Sequence, residues 1–90
     1  MAANRTTDHN VIREWAQSRG AVPANVQGTE RGKDEAGILR LDFDPKDRSL
    51  EELDWDTFFY KFEESRLAFL YQDRTADGKL SRFHKFVRRE

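Results

Sequence analysis

The chain has no cysteine. That absence excludes a disulfide framework and any thiolate metal site. A domain this small working outside the cell usually needs such a staple, so the expected compartment is the cytoplasm. Only two histidines occur, His9 and His84, far apart and in no ligand spacing, and neither a metal nor another cofactor is expected. No window approaches the roughly 20 apolar residues of a spanning helix, and the polar start from Met1 to His9 lacks the apolar stretch of a secretion signal. Neither membrane insertion nor secretion is expected. Charge of one sign is not in excess either: 16 Lys and Arg stand against 17 Asp and Glu. A net charge of −1 argues against a surface built wholly for polyanions.

What is present is aromatic and charged. Seven Phe, two Trp and two Tyr in 90 residues can fill a small core, although 37% of the chain is charged. Ninety residues suit one domain, expected to span 7–90 behind a flexible tail at 1–6.

Thr7 or Asp8 can cap a helix over 8–19, in which Val11, Ile12, Trp15 and Ala16 share one face and Gly20 supplies the left-handed stop. Val22 to Gln27 reads as a strand, placed at a sheet edge because Pro23 has no N–H to donate. Leu39, Leu41 and Phe43 alternate with Arg40 and Asp42, predicting a half-buried strand over 38–43. Between the two, Gly28, Gly32 and Gly37 punctuate a polar hairpin loop that fits no phosphate-binding glycine pattern.

A turn follows at 44–48. Leu53, Asp54 and Phe58 then fit a hydrophobic staple around a capping aspartate, predicting a second helix over 54–65 with Trp55, Phe58, Phe59 and Phe62 in one stripe. Leu67–Tyr71 is a continuous apolar run suited to a central strand, Asp77-Gly78 marks a turn, and 81–88 leans toward a strand although helical spacing also fits it. The expected fold is therefore α+β, in the order α-β-β-α-β-β, with two helices over one small, mostly antiparallel sheet.

The segments Ile12–Ala16, Arg19–Ala24, Gly37–Phe43, Leu50–Phe59, Leu67–Gln72 and Ser81–Phe83 together resemble a family of short bacterial proteins sometimes labelled 1,4-alpha-glucan branching enzyme. The resemblance covers nearly the whole chain. Two positions depart from the family pattern, which has glycine where Ala21 and Arg66 stand, so the turn after the second helix is expected to differ locally. The resemblance implies a shared fold and brings no site residue with it. Glycosyl transfer of the labelled kind needs paired carboxylates, typically on a barrel of about 250 residues, which this chain cannot build.

No catalytic residue is expected. Asp54 and Asp56 complement a helix start, Glu63 and Glu64 form a solvated helix face, and no serine among Ser18, Ser49, Ser65 and Ser81 has a base beside it in sequence. Trp15 and Trp55 fall on apolar helix faces, where core packing outweighs a sugar platform, and carbohydrate is not an expected partner.

Charge changes sign along the chain: nine carboxylates lie between Asp42 and Glu64, and the segment from Tyr71 onward is basic. The candidate binding residues are Arg82, His84, Lys85, Arg88 and Arg89, interleaved with Phe83 and Phe86. The expected role is that of a non-enzymatic binding or accessory module with a protein partner; the alternative is weak nucleic-acid binding by this basic and aromatic segment. The same segment can also simply balance the acidic helix within the fold.

Overall fold

A computed structural model describes residues 3–26 and 39–89. The glycine-containing loop and Ile38 lie outside the described residues.

Helix α1 (His9–Gln17) begins where the Asp8 carboxylate accepts the N–H groups of Asn10 at 2.9 Å and Val11 at 3.4 Å. It ends as Gly20, at φ +71°, lets the Gly20 N–H reach Gln17 O and the Ala21 N–H reach Ala16 O, a Schellman pair. Helix α2 (Trp55–Glu64) begins in the same manner, with Asp54 accepting from Thr57 N at 2.7 Å. Its carboxyl is held below the ordinary range by that backbone hydrogen bond.

The α+β class and the order of helices and longer strands are as the sequence predicts. The antiparallel pairing, however, divides into two three-stranded sheets, each completed by a strand of three residues. In the first, β5 (Leu67–Tyr71) is central between β1 (Asn4–Thr6) and β6 (His84–Arg88). Asn4–Thr6 were expected in the tail; instead they pair with Tyr71, Leu70 and Phe69 and satisfy an edge of the most apolar strand.

In the second sheet, β2 (Val22–Val26) lies between β3 (Leu39–Asp42) and β4 (Leu50–Glu52). The edge position predicted for β2 is therefore corrected to a central one. Proline is tolerated there because β4 pairs only with Ala24–Val26, so the side of Pro23 without a donor lies beyond that ladder. On that side the Pro23 carbonyl accepts the Leu53 N–H at 2.9 Å.

One core joins both helices and both sheets. Ile12, Trp15 and Ala16 of α1, Phe58 and Phe62 of α2, Leu39 and Leu41 of β3, and Leu67 and Phe69 of β5 are all buried in it. After α2 the chain turns through Arg66 at φ 54°, the left-handed region that glycine occupies without strain.

Candidate interaction surface

Strand alternation, not sequence proximity, decides where the C-terminal basic residues go. His84 and Phe86 point into the core, while Lys85 between them is exposed. The His84 ring lies 5.5 to 5.9 Å from Trp15, Phe43, Phe69 and Phe86. Its Nδ1 is 2.9 Å from Arg82 O. Burial lowers its pKa from the ordinary 6.5, opposed in part by the Arg82 carbonyl contact and aided by a smaller push from Arg40. The guanidinium of Arg82 lies 5.2 Å over the Phe43 ring.

Arg89 is drawn inward as well. It donates from Nε to Leu67 O at 2.6 Å and from Nη2 to Glu63 Oε2 at 2.7 Å, and lies 5.5 Å over Phe62. Arg88 is exposed and has a partner of its own. The five nominated residues therefore do not form one cationic stripe. Arg82 and Arg89 lie against core aromatics, His84 is half-buried among rings, and Lys85 faces away from them.

A different surface is built where α1 passes α2. His9, Asn10 and Arg13 of α1 and Asp56, Phe59, Tyr60 and Glu63 of α2 line a shallow groove of about 570 Å³. Helical spacing makes both walls. His9 and Arg13 are four apart, and Asp56, Tyr60 and Glu63 follow at i, i+4 and i+7, so each set shares a face. The His9 ring stacks on Phe59 at 4.1 Å and 4°, and its Nε2 is 2.7 Å from Glu63 Oε2. The same carboxylate oxygen receives Arg89. This hydrogen bond is the first cause that holds the Glu63 carboxyl below its ordinary range; the His9 contact adds to it, against an opposing effect of burial. Tyr60 stands at the rim, 68% exposed, its hydroxyl 3.5 Å from Glu64.

Sequence reading missed this groove. The wall residues could have been grouped by helical period, and Tyr60 falls off the apolar stripe of its own helix. Nothing in the sequence says that the two faces meet.

Most of the remaining candidate groups are occupied locally. Asp54 caps α2 and Asp56 lines the groove, so the two do not converge on one point. Ser18 donates to Trp15 O, Ser49 to Asp47 and Ser81 to Gln72 Oε1, while the buried Ser65 Oγ has no partner among the described residues. Trp15 is buried and donates from Nε1 to Gln72 O; Trp55 is half-buried and stacks on Phe59. His9 lies in the groove and His84 among the core rings, and among the described residues no cluster of three His, Asp or Glu could hold a metal ion. None of the described helices is long and apolar enough to cross a membrane.

Fold and surface define a small α+β domain with a mixed-charge groove between its helices. Comparison with protein-family models, with curated proteins and with solved structures returned no match for this chain.

Proposed function

We propose that this protein is a non-enzymatic binding module whose partner is another protein, met at the groove between α1 and α2. The observation that carries this reading is Tyr60, a large aromatic left 68% exposed at the rim of a concave, mixed-charge surface. Tyrosine and arginine at such a rim supply the rigid contact area and the hydrogen bonds that protein interfaces favour. The groove also carries Arg13 beside Asp56 and Glu63, which suits a partner bearing both signs better than a polyanion. Its most polar element, the His9–Glu63–Arg89 cluster, is internally paired through the Glu63 carboxylate.

The test is a photo-crosslinking residue placed at Tyr60 in living cells, with the same residue at the exposed Leu80 as control. A discrete protein adduct from position 60, absent from position 80 and lost when Arg13→Glu is added, is expected. Identical patterns from both positions would sink the groove as the binding surface. Turnover by purified protein that depends on a groove side chain would overturn the non-enzymatic reading.

A further inference from the structure

The register of the first sheet aligns a second surface. Arg5 of β1 and Lys85 of β6 both lie directly opposite Leu70 of β5, so the three form one row across the sheet. Alternation puts this row on the face opposite Phe69 and Phe86, whose rings pack together in the core. Strand spacing sets the two cations about 10 Å apart. Both are exposed, and neither is paired among the described residues.

Phe83, two residues before Lys85, continues the same side of the pleat, and its carbonyl accepts the Gln72 N–H at 3.2 Å. The ring is 48% exposed. It makes no ring contact among the described residues, whereas Phe86 packs on Phe58, Phe62 and Phe69. Leu70 lies half-buried between the two cations, and Val87, also half-buried, continues the apolar surface beyond Lys85. The strand positions on this face carry two cations and no carboxylate.

We propose that this face is a binding site for single-stranded nucleic acid, separate from the helix groove, with Phe83 stacking a base and Arg5 and Lys85 holding phosphates from the two edge strands of the sheet. An open aromatic face suits an unstacked base, because every base offers a π-face and a duplex hides it. An acidic peptide would use the two cations and leave Phe83 idle. The site differs from the C-terminal basic run: it takes Lys85 from that run, adds Arg5 from the other end of the chain, and leaves out Arg82 and Arg89.

The experiment is fluorescence anisotropy of a labelled short oligothymidylate across a salt series, with duplex DNA and a polyglutamate peptide as competitors. Two phosphate contacts predict a log–log salt slope of about −1.4, falling to about −0.7 in Lys85→Ala. Loss of one stack in Phe83→Ala weakens binding about tenfold with the slope retained. Arg82→Ala leaves both readouts unchanged, and all three exposed positions permit folding, checked by circular dichroism. The proposal is overturned by absence of binding at low salt, by indifference to Phe83→Ala, or by an Arg82→Ala effect as large as that of Lys85→Ala. Displacement by polyglutamate as readily as by unlabelled oligonucleotide would assign the face to acidic peptide instead.

Discussion

Replacing Phe62 with alanine probes the core and can be worked through from the structure. The side chain has no exposed surface. It touches the rings of Phe58, Phe59 and Phe86, and carries the Arg89 guanidinium on one face. Truncation removes the transfer free energy of a benzyl group and leaves a cavity that these rigid neighbours cannot close. The cost is about 3 to 5 kcal/mol. A 90-residue domain holds only about 5 to 13 kcal/mol in total, so the variant loses about a quarter or more of its stability. Urea unfolding followed by circular dichroism measures it, alongside a thermal midpoint expected to fall by more than about 10 °C. Phe83→Ala is the internal control, because the same truncation at a half-exposed ring should cost less than about 1 kcal/mol. Where Phe62→Ala does not fold, Phe62→Leu still reports on the site. Equal costs at positions 62 and 83 would refute the assignment of core and surface.

Arg66→Gly should stabilise the protein by up to about 1 kcal/mol, because Arg66 sits at φ 54° and pays a strain that glycine does not. A loss in urea midpoint would show that the arginine side chain contributes more than its backbone costs. The half-buried His84 gives a pH signature. Its folded pKa is below 6.5, so the unfolded chain takes up the proton first, and stability present above pH 6.5 is lost as pH falls from there through the folded pKa. Urea midpoints across that window should fall in the wild type and stay flatter in His84→Phe; parallel curves would refute the role of His84. Glu63 has the same sign of linkage in a lower pH window. Its carboxyl pKa is depressed, so its contribution is present above the ordinary carboxylate range and lost only as pH falls further, through the folded value. A double-mutant cycle of Glu63→Gln and Arg89→Ala should show a coupling of about 0.5 kcal/mol that shrinks with added salt, since both partners are partly exposed. A salt-independent coupling would contradict that exposure.

The parts of the fold legible in the sequence are those where one residue type does something few others can. Asp54 before an aromatic stripe marks the start of α2, and Gly20 supplies the positive φ that closes α1. The apolar run Leu67–Tyr71 is long enough to stand out as a central strand. Strands β1 and β4 were not legible, because Asn4-Arg5-Thr6 and Leu50-Glu51-Glu52 are too short and too polar to show a period of two. They exist because β5 and β2 each have a second edge that needs hydrogen-bond partners, and that is a tertiary demand. Pro23 misled for a related reason: the rule against proline in central strands concerns a missing donor, and here β4 pairs only beyond it, from Ala24 to Val26.

The candidate surfaces were harder to read, because charge counted along the chain is not charge on a surface. Six basic residues follow Tyr71, and summing them suggests a cationic patch. A strand, however, sends neighbours to opposite faces, so His84 enters the core while Lys85 leaves it. Beyond the strand end, Arg89 crosses to Glu63, 26 residues away in sequence, and spends its charge on the acidic helix. The balancing role considered for the basic segment thus describes Arg89, while the binding role moves to whatever the fold places next to Lys85. That neighbour is Arg5, 80 positions earlier, brought there by a strand of three residues that had no signal of its own. Disrupting β1 should therefore remove one of the two cations from the sheet face even with Lys85 and Phe83 intact, and replacing Thr6 with proline, which puts a ring where Phe69 is paired, is the direct way to do it. Loss of half the salt slope in that variant, with the groove adduct at Tyr60 retained, would separate the two surfaces in a single molecule.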